Sequence, residues 1–256
     1  MKSVRGLAAC VAFGLVFAGS LTGCGKAGPL DGAKVLSTRM VVADDLKVTI
    51  QEVETPADVK ASIDATLANA AKAQDGMKVR EGDSPADDLT ALNVVLDQII
   101  NMGKKVWAVV ASNQPVLNIK FDFANALPKG VRSASDLAGF SDLQYKSFVY
   151  AGQNGFGAEV FKVQYTVVYQ YGGSFEGKGA YISTASVVPQ DVSVLWGYDL
   201  GMDVQNVAVN NLGTSESPVA GINLMAHIKV STILKKTEIN EVFAIRGDSG
   251  LLTRVQ

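Results

Sequence analysis

The sequence predicts an α+β domain, with two N-terminal helices packed on a mainly antiparallel β-sheet or sandwich of about seven to eight strands. Three observations predict it. Apolar residues recur every three or four positions over 56–74 and again over 86–112. From residue 115 onward the apolar period falls to two. Stretches bearing Gly and Asn then punctuate the chain at hairpin spacing.

Taken in order, residues 34–54 read either as strand or as helix, because Val48 and Ile50 alternate with Lys47, Thr49 and Gln51 inside a mixed background. A helix then starts at Thr55-Pro56, where Thr supplies an N-cap, Pro suits the first helical position and Asp58 favours the helix dipole. Val59, Ile63, Leu67 and Ala70 form its apolar face. After the polar loop DGMKVREGDSP, Ser84-Pro85 repeats the start signal. Over 86–112, Leu89, Leu92, Leu96, Ile99, Gly103, Val106 and Val110 keep a 3-4 spacing. That seam fits pairing with a second subunit. Apolar residues on its other faces, Trp107 among them, fit burial against the chain's own sheet better.

Pro115 ends the helix. Leu117, Ile119, Phe121 and Phe123 alternate as one strand. Asn154-Gly155 marks a hairpin leading into the face Val163, Tyr165, Val167, Tyr169 and Tyr171, and GGSFEGKG turns that strand back into Tyr181–Val188. Val192, Val194, Trp196 and Tyr198 read as a strand after Pro189, Ile222 to Val230 as a long one, and Ile239 to Ile245 as its partner. The organisation is thus a leader over 1–23, a tether over 24–33, a mainly helical segment over 34–112 and a β region over 113–256, the last two forming one domain.

The first residues carry a separate message. Lys2 and Arg5 precede an apolar run from Leu7 to Phe17, shorter than the roughly 20 residues a spanning helix needs, and Ala18, Gly19 and Ser20 follow it. Leu21-Thr22-Gly23-Cys24 resembles a bacterial lipobox. The resemblance implies cleavage before Cys24, a thioether-linked diacylglycerol on its sulfur and acylation of its amine. Such multiple chains anchor a protein firmly, each buried methylene contributing about 0.8 kcal/mol. Gly25 rather than Asp follows the Cys, which by analogy with enteric lipoproteins favours the outer membrane.

Removing 1–23 from the 256 residues leaves 233, and the loss of Lys2 and Arg5 takes the basic count from 23 to 21 against 25 acidic residues. A net charge of −4 provides no footprint for nucleic acid. Cys10 belongs to the leader and Cys24 to the anchor, so the mature body has no thiol for a disulfide, a thiolate metal site or a nucleophile.

Few residues carry chemistry. Gly172 to Gly179 approaches a phosphate-binding loop, but Gly179 stands where the motif needs Ser or Thr, and strand rather than helix follows. His227, the single histidine, falls on the polar face of its strand with Asn223, Lys229 and Ser231. Gly247-Asp248-Ser249-Gly250 is similar over four residues to the nucleophile segment of chymotrypsin-like proteases, but Ser249 lies too near the C-terminus for their specificity pocket. The carboxylate groupings are Asp44/Asp45, Asp87/Asp88, Asp199/Asp203 and Glu238/Glu241, and Asp199, Asp203, Asn206, Asn210 and Asn211 lack the spacing of a calcium loop. Trp196, Tyr198 and Tyr181 offer an aromatic binding surface for a glycan or a protein.

The sequence therefore reads as a lipid-anchored cell-envelope protein with a binding or structural role, tied to the membrane at Cys24, with no cofactor and no recognised catalytic centre. A carrier or chaperone of a lipid-like ligand, held between the sheet and the 86–112 helix, is the alternative. A carboxylate-dependent hydrolase of envelope polymers is the third reading.

Overall fold

The computed structural model describes residues 28–65, 116–121, 123–128, 131 and 136–255. Its strands are β1 (Val35–Ala43), β2 (Leu46–Val53), β3 (Val116–Phe121), β4 (Phe123–Ala126), β5 (Gln144–Gln153), β6 (Glu159–Phe175), β7 (Lys178–Val194), β8 (Asp199–Asn211), β9 (Ala220–Ser231), β10 (Lys236–Arg246) and β11 (Leu252–Val255). One helix, α1, is described over 57–65. The strands form a six-stranded sheet, β1-β2-β5-β6-β7-β4, and a five-stranded sheet, β11-β10-β9-β8-β3. All pairings are antiparallel except β3 with β8.

Alternation creates the core. Phe148 and Tyr150 of β5, Val163, Tyr165 and Val167 of β6, and Leu224, Ala226 and Ile228 of β9 point into one cluster between the sheets. Phe148 meets Phe243 at 5.2 Å and Tyr165 at 5.6 Å between ring centroids, filling the space with aromatic contacts. Tyr165 and Tyr169 are therefore core residues, as their shared face with valines predicts.

A second cluster covers the outer face of the six-stranded sheet. Val59 and Ile63 of α1 and Leu30 of the N-terminal segment pack there on Val53, Val149, Val168 and Val188. Thr55 Oγ1 bonds Ser147 Oγ at 2.9 Å, which in turn bonds Thr166 Oγ1 at 2.9 Å, so buried hydroxyls pin the start of α1 to β5 and β6. Residues 28–33, expected as tether, belong to this layer: Leu30 N–H donates to Gln164 Oε1 at 2.8 Å, and Gln164 Nε2 donates to Asp31 Oδ1 at 2.8 Å.

Three expectations need correction. The segment 34–112 is not mainly helical where it is described: 34–53, open in the sequence between strand and helix, is the β1–β2 hairpin, because a partner in β5 rewards the Val48/Ile50 alternation, and one helix follows it among the described residues. The predicted second helix, 86–112, and the Leu67 and Ala70 end of the first lie outside the described residues. Leu117 to Phe123 is not a single strand, since β3 joins one sheet and β4 the other. Pro189 does not end a strand; it sits inside β7 at a bulge, opposite Tyr165, where the ladder tolerates a missing donor.

Candidate functional site at the hairpin end

Strand register gathers four turns at one end of the sandwich. Ala43 pairs with Leu46, Lys47 with Gln153, Phe161 with Val194, and Asp199 with Ser231. The β1–β2, β5–β6, β7–β8 and β9–β10 turns therefore all emerge together. The Lys235 ammonium bonds the Asp45 carboxylate across the end, tying one sheet to the other, and this hydrogen bond holds the Asp45 carboxyl below its ordinary range. Between the turns lies a cleft of about 170 Å³ with Asp45, Asn154, Tyr198, Thr232, Leu234 and Lys235 in its walls. Pockets for drug-sized molecules run to roughly 300–1,000 Å³, so this one fits a small group or one side chain.

The local sequence explains why the turns present apolar tips. Asn154 Oδ1 accepts the amides of Phe156 and Ala158, and Gly157 takes φ +80°, so the β5–β6 loop closes on its own backbone and pushes Phe156 outward. Tyr198 N–H donates to the Leu195 carbonyl at 3.1 Å, with Gly197 at φ +88°, which throws Trp196 into solvent. Thr232 Oγ1 accepts the amides of Leu234 and Lys235. Exposure reaches 98% for Phe156, 93% for Trp196, 100% for Ile233 and 91% for Leu234.

The predicted aromatic surface is thus divided. Trp196 and Tyr198 share one turn, not a strand, and Tyr198 packs inward on the core. Tyr181 pairs with Gly173 near the opposite end of the molecule. Cys24 lies outside the described residues. Phe156, Ile233 and Leu234 escaped the sequence reading, yet a signal existed: each is a large apolar residue embedded in a turn, in Asn-Gly-Phe-Gly and in Thr-Ile-Leu-Lys.

A second concentration of polar groups lies between the sheets. Glu241, 1% exposed, accepts from Arg39 Nη2 at 2.7 Å and lies 3.7 Å from Arg254 Nε. Tyr150 and Tyr165 stand close enough for their ionisation to feel this carboxylate, and both hydroxyls are buried without a hydrogen-bond partner. Burial raises both phenols well above their ordinary value, followed by the Glu241 charge for Tyr150 and by the neighbouring Tyr150 for Tyr165. Arg254 also stacks on Phe148, 5.3 Å from the ring centroid. Two arginines on one carboxylate form a cross-brace from β1 and β11 to β10; a glycosidase would instead set two carboxyls across a cleft.

The remaining residues stand apart. His227 Nδ1 lies 2.6 Å from Asn240 Oδ1 on the outer face of β9. Asp199, Asp203, Asn206, Asn210 and Asn211 are spread along β8 instead of circling an ion. The Gly172–Gly179 segment is the end of β6 and the start of β7 about a tight turn, with Glu176 at φ 50° and Gly177 at φ 72°. Arg246 and Asp248 form a two-point ion pair with each other. Glu238 and Glu241 point to opposite faces, one exposed and one buried. No three His, Cys, Asp or Glu side chains among the described residues group as a metal site needs. No family model, no curated protein and no solved structure matches the chain.

Proposed function

We propose that the protein is a lipid-anchored binding module of the cell envelope, held by an acylated Cys24 and working through the hairpin end of its sandwich. The observation that supports a binding role is the display of Phe156, Trp196, Ile233 and Leu234 around one cleft. Burying such side chains is worth about 1.5–3 kcal/mol each, so leaving four of them in water at one end is a standing drive toward a partner. The inter-sheet space is filled by Phe148, Tyr150, Tyr165 and Phe243, so a carried ligand would have to lie outside it. The Leu21–Cys24 motif supports the anchor, and Gly25 the outer membrane.

The test is expression of the full chain and of Cys24→Ser in a Gram-negative host. The wild type is expected in the membrane fraction, with the mass of a diacylglyceryl and an amide-linked acyl group. Cys24→Ser is expected to lack both. An unaltered fractionation and mass pattern in the variant would rule out the anchor.

A further inference from the structure

Each apolar tip stands by itself. Phe156, Trp196 and the Ile233–Leu234 pair sit on three separate turns, each so fully exposed that little of it packs on a neighbour. A protein partner of fixed shape meets a patch with a continuous, close-packed apolar centre. Separate projecting side chains suit a medium that flows around each of them, as the interface of a bilayer does, where Trp is also at home.

The N-terminal segment says which end of the sandwich meets such a medium. Gly28 lies against the Gln164 side chain, and Leu30 bonds it. Gln164 is five residues from Glu159 and eleven from Phe175, the two ends of β6. At about 3.3 Å per residue it is about 17 Å from the hairpin end and about 36 Å from the opposite end. The four-residue link from Cys24 to Gly28 spans at most about 14 Å. The link alone falls about 3 Å short of the hairpin end, a gap that the Cys24 side chain and its glyceryl group close, whereas the opposite end stays out of reach. The outer face beside Gly28 carries Asp31, Lys162 and Asp191, and such a face stays in water.

We propose that Phe156, Trp196, Ile233 and Leu234 insert into the interface of the same bilayer that holds Cys24, so that the anchored sandwich stands on its hairpin end. The orientation rests on the anchor reading; the insertion belongs to the four side chains. Asp44, Asp45, Glu159 and Asp199 stand beside Lys47, Lys235 and Lys236 at this end, so it offers no basic patch to anionic lipid. Docking is accordingly apolar, independent of anionic lipid and insensitive to salt.

Trp196 reports on it directly. Full-length protein, processed in cells, is reconstituted into phosphatidylcholine–phosphatidylethanolamine vesicles brominated at shallow acyl positions. The Trp196 signal is taken as the difference from Trp196→Phe, since Trp107 is the other tryptophan. The expected result is a blue-shifted Trp196 emission that loses most of its intensity to bromine, at low and high salt alike. Phe156→Ser, Ile233→Ser and Leu234→Ser together are expected to return the emission to that of a solvated indole while membrane fractionation is unchanged. An unquenched Trp196 in the anchored protein overturns the proposal, and loss of a co-purifying envelope protein from the triple variant would then give the surface to that protein. If Cys24 carries no acyl group, the anchor reading fails separately. Protein added to the same vesicles from solution then decides insertion: quenching upholds it, and its absence overturns it.

Discussion

Among the described residues, Glu241 is the one buried charged side chain, and its burial is costly without its neighbours. Taking a carboxylate out of water is repaid only when cationic partners and hydrogen bonds stay in place. Arg39 and Arg254 both reach solvent in part, so the brace is softer than a fully enclosed triad. Glu241→Ala, which leaves two guanidiniums facing an apolar core, is expected to lower stability by about 3 kcal/mol, near the low end for a broken buried pair. Urea midpoints measure this, and a loss under about 1 kcal/mol would show that the arginines simply swing into water. The adjacent phenols make a second prediction. Their folded pKa values are raised, so the folded state keeps protons that the unfolded chain releases above about pH 10. This contribution is complete below about pH 10 and is lost as pH climbs toward the folded values, by about 1.4 kcal/mol per pH unit for each tyrosine. Tyr169, pushed up to about 12 by burial, adds to the loss between its unfolded value and that point. Tyr165→Phe is expected to flatten the fall in urea midpoint between about pH 9 and about pH 11. An equal slope in both proteins would exclude Tyr165 from the linkage.

At the scale of elements, the N-terminal strap is the part whose role its composition conceals. GKAGPLDGAK reads as a linker, yet Leu30 is 2% exposed and helps roof Val149, Val168 and Val188. Asp31 holds the strap through Lys162, Gln164 and the Gly28 amide; burial alone would raise its carboxyl, and these bonds outweigh that and lower it. Leu30→Ala is expected to cost about 3 kcal/mol, and a version beginning at Lys34 to unfold at a lower temperature than one beginning at Gly25. Equal melting of those two versions would return 28–33 to the tether. The failure of the sequence here is physical: Gly, Pro and Asp mark turns regardless of whether tertiary contacts later bury them. Asn- and Asp-rich β8 hides its strand character in the same way, because pairing with β9 overrides composition. Where one sheet face is buried and the other wet, as in β9 and β10, the period of two stands in plain view and places every residue on its proper face. Edge strand β1 is partly wet on both faces, and its period blurs. The site was half legible, through Trp196. Its convergence with Phe156 and Ile233 depends on strand register, which no single stretch of chain encodes.

The molecule as a whole joins distant parts of the chain. Arg39 on β1 braces Glu241 on β10, 202 residues away, and β3 runs parallel to β8 across a long connection. Closing such loops precedes any gain from the contacts, so folding should run on the millisecond-to-second scale of β-sandwiches, far from the microseconds of local helical folds. No covalent bond shortens that search. Cys10 and Cys24 are the only cysteines of the chain, and both precede residue 28. A domain of this kind has to draw its stability from the two apolar clusters, the Glu241 brace and the strap. Refolding of a version beginning at Gly25, followed by fluorescence after dilution from urea, should give the same rate and midpoint with and without reductant, with a main phase slower than about one millisecond. Breaking the brace should bear mainly on unfolding if β1 docks after the transition state, because contacts absent there slow escape without speeding formation. Glu241→Ala that accelerates unfolding while leaving the folding rate intact would place β1 late. A variant that slows folding instead would put the closure of the first strand onto β10 in the nucleus itself.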